Sequence, residues 1–316
     1  METPKKYRLL TRSDLDGLIC AVLLKYLDMV KTVELIDSPG AMQAGEVEVK
    51  SDDIIANLPY VAGASLAFDH HVSETLRSRQ NPGHVIDPDA PSAARVVYEY
   101  YGGKKRFPPS FDEIMDAVDK ADSGQFSRNE ILHPTGWVLL NFLVDKRTGT
   151  EDWGKFAIDE RQFKLNLIDW ILQMPIDEVM ALPDVQQRST IYFTYQQRYK
   201  QQLADRAQIF GNIVVLDCRN QQQIYPGNRF VVYALYPQCN ISIQIKPEKD
   251  KEKTTFSVGK SIINPTATVN IGKLMLEYGG GGPRAAGACH VDPEKADRVL
   301  GEILNRLGEK APLVTN

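Results

Sequence analysis

Through the first 125 residues, strand-like runs alternate with helix-like runs, and this alternation restricts the fold more than any other feature of the chain. Tyr7–Thr11 (YRLLT) reads as a strand and Leu18–Leu27 (LICAVLLKYL) as an apolar helix. Val33–Ile36 is a short strand, and Asp53–Ala56 (DIIA) and Ser65–Phe68 (SLAF) are two more, each followed by polar or turn residues. Pro91-Ser92-Ala93-Ala94 opens a helix with Ser92 as its N-cap, and Gly102-Gly103 ends it. Strands alternating with helices predict an α/β fold, a mostly parallel sheet with helices on both faces. Such sheets bind ligands outside the carboxyl ends of their strands. The residues just past each strand are therefore where chemistry is expected.

The texture changes twice after that. From Asp152 to Ala207 the pattern is helical and polar, with a Gln-rich stretch, TYQQRYKQQLADRAQ. Beyond Gly211, the runs NIVVLDC, RFVVYALYP, CNISIQIK and TTFSVGKSI read as strands separated by turn residues. The charged run Pro247–Lys253 (PEKDKEK) reads as a solvated hairpin loop, and Leu274–Tyr278 ends a helix before four glycines, Gly279–Gly282. The expected organisation is an N-terminal domain over 1–150, a helical connecting region over 151–207 and a smaller α+β domain over 208–316.

Charge and cysteine usage narrow the partners. A net charge of −4 and a pI near 5.8 argue against a basic surface that coats long nucleic acid, and leave room for a small basic pocket holding a short anion. The four cysteines, Cys20, Cys218, Cys239 and Cys289, form no C-x-x-C pair, so a zinc knuckle or a thioredoxin-type motif is not expected. The start, METPKKYRLLTRSD, lacks the apolar core of a signal peptide, and no run approaches a membrane span. The expectation is a cytoplasmic protein with reduced thiols and no membrane partner.

Four polar stretches share one kind of address. Arg12-Ser13-Asp14-Leu15-Asp16-Gly17 follows the first strand, Asn57-Leu58-Pro59-Tyr60 another, and Asp69-His70-His71 a third. Asp122-Ser123-Gly124-Gln125-Phe126 follows a helix containing MDAVDKA. A D-x-D-G sequence by itself fits a surface turn, and two adjacent histidines by themselves fit a loop. Together, at strand ends of one domain, they point to a metal site. Carboxylates with imidazole suit manganese or a similar divalent ion better than zinc. Two such ions about 3.5–4 Å apart would clamp a phosphate and activate a water.

These stretches resemble a known family. SDLDG, FDHH and DSGQF resemble the first, third and fourth motifs of the DHH phosphoesterase superfamily. FSVGKSI followed by YGGGGPRAAG is similar to the glycine-rich C-terminal domain that accompanies DHH domains. The pairing occurs in RecJ-like exonucleases, in oligoribonucleases that also remove the 3′-phosphate of pAp, and in cyclic-dinucleotide phosphodiesterases. The sequence looks nearest to an exopolyphosphatase-like branch reading TRSDxDGL. The resemblance implies an active site in the cleft between domains, Mn2+ (or Mg2+) with one or two ions per chain, and makes a homodimer reasonable. Carried over by motif, Asp14 resembles a ligand of one metal, and Asp16, His70 and Asp122 resemble ligands of the other. His71 would contact phosphate and Asp69 would orient an imidazole. Gly280, Gly281 and Gly282 with Arg284 would bind substrate through a nest of backbone amides, although four glycines after a helix also fit a plain C-cap and loop.

Three departures from the family pattern bear on chemistry. Arg12 and Leu10 stand where the family has metal-binding side chains, and Asn57 stands where it has a metal-bridging aspartate, Asp53 being at the wrong end of that strand. GGGGPRAAG lacks the family's histidine and offers Arg284 as its cation. A guanidinium cannot ligate a metal; Arg12 would pair with Asp14 or grip a phosphate. The Asp14 metal site is therefore expected to be weakened or lost, while Asp16, His70 and Asp122 keep a workable set with Asn57 as a neutral ligand. Lys260 reads as a strand-end lysine; Tyr233, Tyr236 and Phe256 fit either base stacking or core. The leading expectation is a divalent-metal phosphoesterase hydrolysing a small phosphorylated substrate: a short oligonucleotide, a pAp-like nucleotide, a cyclic dinucleotide or polyphosphate. In it Arg12 and His71 would assist catalysis. The alternative is a catalytically impaired nucleotide-binding or sensing protein on the same fold.

Overall fold

The computed structural model describes residues 5–71, 74–75, 83–221, 223–248 and 252–308. The chain divides into two compact units, Met1–Gln125 with Pro134–Tyr192, and Phe126–His133 with Phe193–Asn316.

The first unit is built on five strands, β1 (Tyr7–Arg12), β2 (Val30–Ile36), β3 (Asp53–Ala56), β4 (Leu66–Asp69) and β5 (His84–Ile86). They lie in the order β2-β1-β3-β4-β5, and every neighbouring pair is parallel. From β1 the chain steps to one side for β2 and then to the other for β3 to β5. The order therefore reverses between β1 and β3, and the crevice such a reversal opens lies at the carboxyl ends of the strands. At the opposite end, the register sets Arg8 of β1 beside Asp53 of β3, and the guanidinium takes both carboxylate oxygens at 2.8 and 2.6 Å. Asp53 is thus a structural partner on the side away from the crevice.

Helices of this unit are α1 (Leu15–Tyr26), α2 (Pro39–Gln43), α3 (Ala93–Tyr100) and α4 (Ser110–Asp122). After α5 (Arg128–Leu132), which belongs to the second unit, come α6 (Gly136–Val144), α7 (Glu160–Gln173) and α8 (Ile176–Ala181). The ten residues Leu15 to Leu24 of α1 are all buried, the mark of a helix enclosed on every side. It packs on β1 and against α3, α4 and α7. A separate apolar cluster of Leu10, Ile36, Met42, Ile55, Leu58 and Ala67 brings α2 onto the sheet. Ser92 caps α3 by accepting from the Arg95 amide, as its sequence predicts.

The helix α9 (Pro183–Arg206) carries the chain from the first unit to the second. There β6 (Ala207–Phe210), β7 (Ile213–Asp217), β8 (Ile241–Pro247), β9 (Thr254–Lys260) and β10 (Ala286–Val291) form a mixed sheet. Only β7 and β8 pair in parallel. RFVVYALYP, expected to be a strand, contains the helix α10 (Val231–Leu235). Parallel neighbours cannot be joined by a hairpin, and this segment belongs to the crossover between β7 and β8. The helices α11 (Ile271–Leu276) and α12 (Ala296–Arg306) pack Ile271, Met275, Val299 and Ile303 against Ile243, Phe256 and Val258 of the sheet. Phe256 is wholly buried in that core, and buried Tyr233 meets Ser242 Oγ at 2.9 Å, so both serve packing and not base stacking. In the hairpin after β8, residues 249–251 of the expected loop lie outside the described residues.

Candidate metal centre

The loop after β1 is folded by its own carboxylates. Asp14 caps α1, its Oδ1 accepting from the Gly17 amide at 3.1 Å. Gly17 has no alternative, because a Cβ there would lie 2.0 Å from the Arg12 carbonyl oxygen. This turn sends Asp16 inward. Asp16 is 2% exposed, and its two oxygens accept from the amides of Ala93 and Ala94 at 2.9 and 2.8 Å, at the N-terminus of α3.

His70 follows β4 and faces the same place. Its Nδ1 meets the Ala90 carbonyl at 3.1 Å, a contact that keeps the proton on Nδ1 and frees the Nε2 lone pair whenever the ring is neutral. Nε2 is buried without a hydrogen bond, 3.2 Å from Asp122 Oδ2 and 4.0 Å from Asp16 Oδ2. Ligand atoms of Asp16, His70 and Asp122 all lie within 4.8 Å of one another. Two carboxylates converging on an unbonded imidazole nitrogen fit a divalent cation, and the oxygen-rich set suits manganese or magnesium.

The electrostatics are those of a site that needs positive charge. Burial, and then the nearby Asp122 and Asp14 carboxylates, hold the Asp16 carboxyl well above the usual carboxylate range. Burial alone would lower the pKa of His70; the close approach and charge of Asp122 and the charge of Asp16 outweigh it and push the imidazole up to about 9.

On the Asp14 side the positive charge is already present. Arg12 Nε lies 3.0 Å from Asp14 Oδ2, and Asn57 Nδ2 donates to Asp14 Oδ1 at 3.0 Å. Asn57 sits just past β3 with φ of 55°, a left-handed conformation that asparagine tolerates better than most residues. Its Oδ1 is buried and has no hydrogen bond, so an uncharged oxygen is left for a cation. Burial raises the Asp14 carboxyl, with Arg12 pulling against it.

Asp69 is 1% exposed and organises the histidine pair through one oxygen, accepting from the His70 and His71 amides and lying 2.7 Å from His71 Nδ1. The imidazole it orients is therefore that of His71, which is partly exposed, whereas the Ala90 carbonyl holds His70.

The glycine block lies in the second unit, and its amides are engaged within the fold. Gly280 N donates to Met275 O at 3.0 Å and Gly281 N to Ala288 O at 2.9 Å. A Cβ at Gly280 would lie 1.9 Å from Ala288 O, and one at Gly282 would lie 2.4 Å from Ala286 O. Close packing thus accounts for the glycines, and the expected nest of free amides is not formed by Gly280 and Gly281. Arg284 is exposed and reaches Thr268 O at 3.5 Å. Lys260, at the end of β9, feels its positive charge.

Contributors of two kinds, backbone groups and a distant side chain, escape sequence reading. The Ala90 carbonyl carries no side-chain signal. Arg147 lies 25 residues beyond Asp122 in an ordinary charged segment, yet its charge bears on both Asp14 and Asp122.

No protein-family model matches the chain, and no curated protein matches it. Among solved structures, the chain is similar to the pGpG-specific phosphodiesterase PggH from Vibrio cholerae, with 48% identity and a TM-score of 0.83. That match covers 96% of this chain and 99% of the other. It is also similar in fold to RecJ from Thermus thermophilus in complex with Mn2+, at 13% identity and a TM-score of 0.56, covering 96% and 52% of the two chains. The DHH domain of a member of the S1p family of ribosomal proteins matches at 12% identity and a TM-score of 0.53, covering 97% and 88%.

Proposed function

The chain belongs to the DHH superfamily of phosphoesterases, and from that premise we propose that it hydrolyses a linear, 5′-phosphorylated dinucleotide of the pGpG class. It is a metal-dependent phosphoesterase of small phosphorylated substrates; the dinucleotide is the finer reading. One observation carries it: 48% identity, running end to end, with a phosphodiesterase named for pGpG.

Asp16, His70 and Asp122 would hold one divalent ion, with Asn57 Oδ1 available beside them. When bound, the ion supplies Lewis-acid charge to the phosphoryl oxygens and lowers the pKa of water. Arg12, fixed by Asp14, presents a guanidinium that neutralises charge developing on the phosphoryl group. His71, oriented by Asp69, would be the proton donor to the departing oxygen. The reaction adds water across the bridging P–O bond, so pGpG yields two molecules of the 5′-mononucleotide. Among the described residues no helix is long and apolar enough to cross a membrane.

A second reading keeps the fold and loses turnover. It is favoured by Arg12 and Asn57, which together engage both oxygens of Asp14, the expected ligand of one metal. The deciding experiment is hydrolysis of pGpG by purified protein with Mn2+ or Mg2+, next to cyclic dinucleotide, pAp and polyphosphate. Production of mononucleotide from pGpG at a kcat/KM well above the other substrates supports the first reading. Binding of pGpG without product supports the second.

A further inference from the structure

We infer that Arg147 recognises the terminal phosphate monoester of the substrate, and so sets a preference for a linear 5′-phosphorylated dinucleotide over one lacking that phosphate. The inference rests on the dinucleotide reading above.

The first support is the way the side chain is held. Arg147 belongs to the short turn Lys146–Thr148 that follows α6. Asp145 caps that turn, accepting from the Arg147 amide at 3.0 Å, and the same carboxylate clamps the guanidinium through Nε at 2.7 Å and Nη2 at 2.8 Å. The clamp uses one edge of the fork and leaves the Nη1 edge for a ligand. Arg147 is 54% exposed, while Asp145 is 15% exposed. An exposed arginine that is already oriented loses little rotamer freedom when an anion arrives.

The second support is where the turn is tied. Lys146 reaches Asp37 Oδ2 at 3.2 Å, and Asp37 Oδ1 accepts from Ser13 Oγ at 2.5 Å. Ser13 sits between Arg12 and Asp14, so the turn is tethered to the loop that frames the metal centre. Partial desolvation opposes the charge of the half-exposed Arg147; Asp145 outweighs it, and Asp14 and Asp122 add to it through space. Among the described residues, Arg147 hydrogen-bonds to Asp145 and to neither of those carboxylates. It therefore stands near the centre without being part of it.

The substrate's charges divide in the same way. The scissile diester carries one negative charge and would be met by Arg12 and by the cation that Asp16, His70 and Asp122 would hold. A terminal monoester carries nearly two and offers three oxygens, a match for a planar guanidinium edge. Arg147 is a guanidinium whose charge reaches the site while its hydrogen bonds go to Asp145 and not to Asp14. A cyclic dinucleotide has no terminal phosphate to offer it.

The test compares pGpG with GpG, the same dinucleotide without the 5′-phosphate, using wild type, Arg147→Gln and Arg147→Lys. Kinetics with Mn2+ are paired with calorimetric binding in EDTA, which bars turnover. The wild type is expected to bind pGpG about tenfold or more tightly than GpG, the scale of one charge-assisted contact. Arg147→Gln should abolish that margin by weakening pGpG alone, and Arg147→Lys should restore part of it. Thermal melting should fall only slightly and alike with either dinucleotide, because the side chain is half-exposed and its hydrogen bonds go to Asp145. Equal binding of both dinucleotides by the wild type overturns the inference, as does an equal loss for both in Arg147→Gln. Should the wild type discriminate in binding yet cleave neither, the phosphodiesterase reading fails while the role of Arg147 stands.

Discussion

Arg12 Nε and Asp14 Oδ2 lie 3.0 Å apart at the mouth of the parallel sheet, where the family pattern implies a metal ion. The guanidinium supplies Asp14 with the kind of charge that a cation would bring. Replacing Arg12 by His together with Asn57 by Asp should recreate the missing ligands. Elemental analysis after dialysis against micromolar Mn2+ is expected to find roughly one ion per wild-type chain and about one more in the double variant. Two ions in the wild type would refute the substitution of ion by arginine.

Metal affinity should depend on pH through His70. Its imidazole is protonated up to about pH 9 in the absence of metal, and Nε2 must lose that proton to ligate. Below that value, affinity should climb by up to about tenfold per pH unit, flattening above it. Calorimetry in buffers of different ionisation enthalpy would register the released proton. An affinity constant across pH 6 to about 9 would sink this account of the site.

Far from the crevice, the Arg8–Asp53 pair should show in stability. Burial raises the Asp53 carboxyl, but Arg8 and the Lys50 amide more than reverse this, so its pKa falls below the ordinary 3.8. A carboxyl lowered in the folded state contributes stability above its unfolded value, and that contribution is lost as pH falls through the folded value. Asp53→Asn is expected to cost roughly 2 kcal/mol at pH 7, the scale of hydrogen bonds to a charged group. Denaturant titrations should show the gap between variant and wild type closing below about pH 4. A gap that stays constant into acid would mean the pair contributes nothing through charge.

Gly280→Ala separates packing from ligand binding. The added methyl meets the Ala288 carbonyl at 1.9 Å, so the β10 region must shift. A loss of about 1–3 kcal/mol is expected, with Mn2+ binding at Asp16, His70 and Asp122 intact. Unchanged melting with a raised KM would restore the glycine block as a phosphate cradle.

The parallel sheet is legible in the sequence because its signals are local: alternating runs, a Ser92 cap and polar residues at strand ends each follow from short-range chemistry. Asp16, His70 and Asp122 are legible as types, since carboxylates and imidazole at strand ends have few other uses together. Their supports are not. Nothing in the sequence says that the Ala90 carbonyl holds His70, or that the Ala93 and Ala94 amides hold Asp16. Backbone groups look alike until the chain is folded. VVYAL misleads because five apolar residues fit a buried strand and a buried helix equally, and only the parallel pairing of β7 with β8 decides between them. In the glycine block, the amides of Gly280 and Gly281 are taken by the carbonyls of Met275 and Ala288, which spacing alone does not reveal.

A positive charge on an arginine is made with the chain, whereas one on an ion must be drawn from the surroundings. With Asp14 matched by Arg12, a site that took one ion would fill with the first power of free ion concentration instead of the square. Activity resting on one ion would decline gradually as divalent ions grow scarce, whereas activity resting on two would fall off steeply.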